Sequence, residues 1–175
     1  MYASYLWRLE HRGHNWNLIM TAPVRPFCLY FAKFWVVAKL AVLTQGWLLT
    51  LFIIGGKFGA GLNGFPPLEI VLWLLRGAIG GLAIVALQLL LSMVIRNFAL
   101  PVLIALGGSV AGLLAAGKNL GLFWPYSLMI LGMNSNHTED VMGGGIWGFS
   151  LSCGVFLAAT LLLANGFLTK KDINA

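Results

Sequence analysis

Residues 68–95 read LEIVLWLLRGAIGGLAIVALQLLLSMVI, a run of 28 residues whose only charges are Glu69 and Arg76. A transmembrane helix needs about 20 predominantly apolar residues, so this run is long enough to cross a bilayer. It lacks the alternation of apolar and polar residues that is typical of a transmembrane β-strand. The run therefore predicts a membrane-spanning helix.

The composition of the whole chain also indicates that its surface faces lipid. Apolar residues make up 59% of the 175 residues and charged residues only 9%, against roughly 25% charged residues in a typical soluble domain. This hydrophobicity excludes intrinsic disorder, and a soluble globule of this size cannot bury so much apolar surface. The net charge of +6 does not indicate binding of nucleic acid, because the basic residues are thinly spread at the ends of apolar runs.

Four apolar runs reach the length of a spanning helix, at residues 34–56, about 70–95, 98–117 and 146–168. They predict an all-α membrane protein in which residues 34–175 form the transmembrane domain and residues 1–33 lie outside it. A fifth run, residues 120–133, is shorter and carries Pro125 near its middle. We expect this run to form a re-entrant helical segment on the external side.

The distribution of basic residues predicts the orientation of the four spans. Eight basic residues fall on the side of the two termini and three on the other side. The eight are Arg8, Arg12, Arg25, Lys33, Lys39, Arg96, Lys170 and Lys171, and the three are Lys57, Arg76 and Lys118. Because positive residues favour the cytoplasmic side, we expect both termini in the cytoplasm of a multi-pass protein of a bacterial cell membrane.

Polar residues within the spans are few, and they suit transport better than catalysis. Gln45, Arg76 and Gln88 are candidates to line a path, although Arg76 fits either the headgroup layer or the protein interior. The chain shows no Ser-His-Asp or Cys-His arrangement and no phosphate-binding GxxxxGK[ST] motif. We therefore expect no catalytic residue, no metal ligand and no cofactor.

Glycines recur at four-residue spacing in three places. The pairs are Gly77 with Gly81, Gly108 with Gly112, and Gly144 with Gly148. Small residues at this spacing let helix backbones approach closely in lipid. The pairs predict packing within the bundle, a face for a second subunit or a seam between helices that move.

The segment before the first span, residues 10–33, reads EHRGHNWNLIMTAPVRPFCLYFAK. Trp16, Ile19 and Met20 form one apolar face of a short helix, and the prolines of Thr21–Pro26 end it. A short amphipathic helix followed by a bend is suited to contact a cytoplasmic partner. The alternative is a helix that lies on the membrane surface.

This segment resembles the cytoplasmic loop of type 2 ABC exporter permeases, most closely those of lantibiotic immunity and peptide-antibiotic export. The family pattern runs from an acidic residue through an apolar helix and a small-Pro-Val motif to a basic elbow ending in lysine. Here it falls on Glu10, Leu18–Met20, Thr21, Pro23, Val24, Arg25, Tyr30 and Lys33. Family permeases carry two spans before this loop, whereas this chain begins inside it, as expected of a truncated member, of a chain whose start codon is placed late or of a reduced homologue.

The resemblance implies a permease that does no chemistry itself and is driven by a separate ABC ATPase. The residues that would face the ATPase are Glu10, Trp16, Ile19, Met20, Pro23 and Arg25. A second permease subunit, identical or paralogous, would complete the path, and the implied substrate is an amphipathic peptide antibiotic. The alternative function is a non-transporting membrane scaffold or a holin-like pore.

Overall fold

The computed structural model describes residues 1–11, 25–135, 137, 139–142 and 145–171, and all regular secondary structure within them is helical. The helices are α1 (Tyr2–His11), α2 (Pro26–Ile54), α3 (Leu68–Val94), α4 (Ala99–Gly117), α5 (Leu128–Gly132) and α6 (Ile146–Lys171). A π-helical turn, Gly55–Gly59, extends α2, and two 3₁₀ turns, Gly121–Phe123 and Pro125–Ser127, precede α5.

Four of these helices are long and apolar enough to span a membrane, which confirms the prediction of an all-helical protein with four such helices. Within the described residues the candidate spans are Phe27–Gly59, Leu68–Val94, Ala99–Gly117 and Ile146–Thr169. The shortest, α4, has 19 residues, which at 1.5 Å per residue is roughly 28 Å. That length matches a hydrocarbon core of about 30 Å.

Prolines and an asparagine set the helix boundaries. Pro26 occupies the first turn of α2, after Arg25 in an extended conformation, and Pro67 caps α3. Proline suits these positions because it lacks an N–H group that a helix start would leave unpaired. Between α3 and α4, the side-chain oxygen of Asn97 accepts a hydrogen bond of 2.9 Å from the Ala99 N–H, which satisfies one free donor of the new helix.

The four long helices alternate in direction, and one buried cluster marks an end of the bundle. It joins α1 to the start of α2 and to the ends of α3 and α6. Its members are Ala3, Trp7, Tyr30, Phe34, Val37, Ala38, Ala86, Leu89, Met93, Ala164 and Leu168. We call this the α1 end; the 60–67 loop and the 118–145 connection lie at the opposite end.

The 118–145 connection contains the run that the sequence singled out as re-entrant. The structure breaks residues 121–132 into two 3₁₀ turns and the five-residue α5, with Trp124 extended before Pro125. A residue before proline is pushed out of the helical region, so the break follows from Pro125. A second cluster, Ala83, Leu128, Phe149 and Cys153, packs α5 against α3 and α6. Entry of this segment into the membrane from outside stays a prediction, as does the side on which the termini lie.

Candidate functional site

A lysine near the start of α2 holds α1 in place. The Nζ of Lys33 donates a hydrogen bond of 2.8 Å to the main-chain oxygen of Leu6 and another to Oε1 of Glu10. The same Nζ lies 4.3 Å from the centre of the Trp7 ring. The Lys33 and Glu10 side chains are only 12% and 13% exposed, and Trp7 is fully buried. One α2 side chain therefore joins three residues of α1.

Two further contacts join α1 to α3 and α4. The hydroxyl groups of Ser4 and Ser92 lie 3.1 Å apart, with both residues buried. The Arg8 guanidinium lies 5.5 Å from the centre of the Phe98 ring, at the start of α4. Together with the Lys33 contacts, these place α1 against three of the long helices, α2, α3 and α4.

Tyr30 links α2 directly to α3. Its side chain is fully buried, and its hydroxyl donates a hydrogen bond of 2.8 Å to the main-chain oxygen of Ala86. A buried hydroxyl without a partner would lose its hydrogen bonds to water, so this bond favours one relative position of the two helices. The α1 end is thus held by polar contacts as well as by apolar packing.

The predicted ATPase-facing residues divide between described and undescribed parts of the chain. Glu10 lies at the end of α1 in its ion pair with Lys33, and Arg25 is exposed just before α2. Trp16, Ile19, Met20 and Pro23 lie outside the described residues. The undescribed stretch 12–24 is flanked by α1 and α2, which are joined by the contacts of Lys33 on α2 with α1.

The predicted glycine pairs lie mostly against the broken segment 121–133. A methyl group built on Gly77 would lie 2.2 Å from Cγ of Met133, and one on Gly108 would lie 2.6 Å from the Tyr126 ring. Gly112 would meet the backbone of Tyr126 and Ser127 at 3.1 Å. Gly81 and Gly148 have more space, with nearest atoms at 4.0 Å and 3.8 Å. Gly144 lies outside the described residues.

The closest backbone contacts involve two glycines that the sequence analysis did not select. A methyl group on Gly80 would lie 2.6 Å from the main-chain carbon and oxygen of Leu128. One on Gly132 would lie 2.7 Å from the corresponding atoms of Arg76. Together they let α5 and α3 approach at backbone distance. A signal was available in the sequence, since Gly80 stands three residues after Gly77 on the same helix face.

The three predicted path residues all contact the connection between α4 and α6. Gln88 donates a hydrogen bond of 2.6 Å to the Tyr126 hydroxyl, and Nε2 of Gln45 lies 3.6 Å from the Met133 sulfur. Arg76 forms an ion pair of 2.8 Å with Asp140. The connection therefore contacts polar side chains of both α2 and α3.

The Arg76–Asp140 pair has an electrostatic consequence. The hydrogen bond from Arg76 holds the pKa of the Asp140 carboxyl below its usual value of 3.8, outweighing the opposite effect of burial. The Met142 N–H donates a further hydrogen bond of 3.1 Å to this carboxylate. Asp140 is thus an anion at neutral pH that ties the α5–α6 connection to α3.

The described contacts at the α1 end and at the 118–145 connection are apolar packing, hydrogen bonds and ion pairs. Within the described ranges, no group of three or more His, Cys, Asp or Glu side chains could hold a metal ion. Both described cysteines are free thiols, Cys28 exposed and Cys153 buried. The chemistry that the described contacts support is anchoring of α1 and packing of a broken segment inside a helical bundle.

The fold defines a multi-pass helical membrane protein. Residues 1–112 match the family model described as ABC-2 family transporter protein, and this match covers more than half of the 175 residues. The chain therefore belongs to the ABC-2 transporter family. It is a permease-type membrane component, and its family implies an ABC ATPase as partner. No curated protein and no solved structure matches the chain.

Proposed function

We propose that this protein is the permease subunit of an ATP-driven exporter that expels an amphipathic peptide antibiotic, such as a lantibiotic, from the membrane. A separate ABC ATPase supplies the energy, and a second permease subunit, identical or paralogous, completes the path. The family match supports the permease class, and the resemblance of residues 10–33 to the antibiotic-export permeases supports the substrate class.

The observation that carries the coupling proposal is the anchoring of α1 by Lys33. The proposed ATPase-facing stretch, residues 12–24, leaves from α1 and returns into α2. Both flanking helices are held together through the Lys33 contacts to Leu6 and Glu10. A displacement of this stretch by the ATPase would therefore move α1 and α2 as one unit, and α1 would carry α3 and α4 with it.

This geometry suggests different roles for the proposed coupling residues. Glu10 is largely buried in its pair with Lys33, so we assign it to positioning α1 rather than to touching the ATPase. Arg25 is exposed and suits a contact at the rim, where charges set orientation more than affinity. Trp16, with Ile19 and Met20, is proposed as the apolar anchor, because buried aromatic residues dominate interface energies.

Copurification tests the coupling proposal. The tagged chain is expressed in a bacterial membrane with a candidate ABC ATPase, and the ATPase retained by the tag is measured. Trp16→Ala should lower retention at least tenfold, since loss of a hot-spot side chain costs about 2 kcal/mol. Trp47→Ala is the matched control, because Trp47 is 63% exposed on α2, away from the proposed contact. Equal retention by Trp16→Ala and parent protein would contradict the assignment.

Survival of cells tests the substrate. Cells that express the chain with its ATPase should tolerate a higher concentration of an amphipathic peptide antibiotic, with no change for a small hydrophilic antibiotic. An ATPase variant unable to hydrolyse ATP should remove this protection. Protection that persists without ATP hydrolysis would instead favour the non-transporting scaffold, and leakage of the cells would favour the holin-like pore.

A further inference from the structure

A cavity of about 730 Å³ lies at the end of the bundle opposite α1, where α2 passes through the Gly55–Gly59 turn and the 60–67 loop leads into α3. Its volume is within the range of pockets that hold drug-sized ligands. Phe52, Leu62 and Ile70 are typical of its lining, which is mainly apolar. The proposed transport function makes no use of this cavity.

Two adjacent glycines, Gly55 and Gly56, line the cavity. A methyl group built on Gly55 would meet no atom within 4 Å, and one on Gly56 would meet only a Leu62 methyl group, at 3.8 Å. Gly55 has helical backbone angles, φ −61° and ψ −40°, which any residue can adopt. Neither close packing nor backbone strain therefore requires glycine at residue 55, and a larger side chain there can occupy the space.

One lysine gives the cavity its charge. Among its described lining residues, Lys57 alone is charged, and Asn63 supplies a polar amide. The Nζ of Lys57 lies 4.0 Å from the centre of the Phe65 ring, and within the described part of the chain no carboxylate forms an ion pair with it. A ring face stabilises an ammonium group only weakly at an exposed site. The Lys57 charge thus remains available to an anion.

We propose that this cavity binds an anionic phospholipid, with the headgroup phosphate at Lys57 and Asn63 and an acyl chain along Phe52, Leu62 and Ile70. The cavity lies between the end of one candidate span and the start of the next, and helices that span a bilayer would bring this end to the headgroup layer. An apolar wall next to a single cation complements a molecule with an apolar tail and one negative charge. This assignment is independent of the substrate and of the ATPase.

Lipid binding to the purified full chain in detergent tests the proposal. The probes are a fluorescent phosphatidylglycerol and a phosphatidylcholine with the same acyl chains and fluorophore. The parent protein should prefer phosphatidylglycerol by about fivefold, the effect of one basic residue near an anionic headgroup. Lys57→Gln should remove the preference for phosphatidylglycerol without weakening the binding of phosphatidylcholine. Lys57→Arg should retain the preference. Gly55→Leu should weaken the binding of both lipids, because the leucine side chain fills part of the cavity.

Two variants are matched controls, and three outcomes would overturn the proposal. Lys118→Gln changes an exposed lysine at the same end that does not line the cavity, and Gly46→Leu adds the same side chain to α2 in open space elsewhere. Both should bind lipid like the parent protein. The proposal fails if the parent protein shows no preference, if Lys57→Gln keeps it, or if inorganic phosphate alone displaces phosphatidylglycerol.

Discussion

The Lys33 ammonium group of α2 and the Glu10 carboxylate of α1 form an ion pair in which each side chain is almost nine-tenths shielded from solvent. The pair joins a short helix to the first spanning helix. These two helices flank residues 12–24 in the sequence. Lys33 also binds the Leu6 carbonyl oxygen, so loss of this one side chain removes two anchors of α1 at once.

Lys33→Met should therefore destabilise the docking of α1. It leaves the Glu10 charge largely buried without its partner, a change that typically costs about 3–5 kcal/mol. We expect a lower midpoint of thermal unfolding in detergent and faster proteolysis near residue 11. The double variant Lys33→Met with Glu10→Gln should be more stable than Lys33→Met alone, because the uncompensated charge is gone. If the two changes instead destabilise additively, the two side chains do not interact.

Gly80→Ala should disturb the packing of α5 on α3. The added methyl group would lie 2.6 Å from the main chain of Leu128, and a backbone cannot rotate away as a side chain can. Overpacking of this kind costs about 1–3 kcal/mol, measured as a lower midpoint of thermal unfolding.

Gly81→Ala is the matched control for this contact. Its methyl group would meet only the Met129 sulfur, at 4.0 Å, and alanine favours a helix over glycine by about 1 kcal/mol. Gly81→Ala should therefore leave the midpoint unchanged or raise it. Equal destabilisation by the two neighbouring changes would show that the close α3–α5 contact is not what Gly80 provides.

The Arg76–Asp140 pair predicts a dependence of stability on pH. Arg76 depresses the pKa of Asp140 in the folded protein below 3.8, so the pair contributes stability above the pKa of the unfolded chain. This contribution disappears as the pH falls through the lower folded-state pKa, between about pH 5 and pH 2. Since the Asp140 side chain is 33% exposed, we expect a loss of no more than about 1 kcal/mol.

Asp140→Asn isolates this contribution. The variant should be less stable than the parent protein at pH 7, and the difference should shrink as the pH falls and vanish once Asp140 is protonated in both the folded and the unfolded parent protein. Thermal unfolding in detergent at several pH values measures this difference. A constant difference across the whole range would show that the pair does not act through the charge of Asp140.

The sequence identified the four spans because lipid imposes a local requirement on length and hydropathy. Three of the long helices begin and end within about three residues of the predicted runs, whereas α2 extends well beyond its run, since a helix does not stop where the hydrocarbon does. The first span was expected from residue 34, whereas α2 begins at Pro26, with residues 27–33 in the same helix. The sequence pattern placed Pro26 in the bend that ends the preceding helix, although proline in a first helical turn also favours a helix start.

The contacts that build the candidate site were not accessible from the sequence because they join distant residues. The helix Tyr2–His11 was not identified: Arg8 and Glu10 lower its hydropathy, and Trp7 is buried only because Lys33 and α3 cover it. The run 120–133 was predicted to be a re-entrant helical segment, and its break at residues 121–132 follows from Pro125, a local effect. Its contact with Gly80 depends on the whole bundle, and no pattern within α3 specifies which residue will lie opposite.

Because the four long helices alternate in direction, the side of the membrane on which the α1 end lies fixes the orientation of all four. Asn63 and His137 are exposed at the end opposite α1, whereas Thr169 is exposed near the end of α6 that packs at the α1 end. With Cys28 and Cys153 replaced by serine, single cysteines are introduced as Asn63→Cys, His137→Cys or Thr169→Cys. An impermeant thiol reagent should label the first two in intact cells and Thr169→Cys only after lysis, because the positive-inside asymmetry places the termini in the cytoplasm. The lysed sample is the control for reactivity at each position. Labelling of Thr169→Cys alone in intact cells would invert the orientation, and labelling of Asn63→Cys and Thr169→Cys but not of His137→Cys would mean that residues 120–133 cross the membrane.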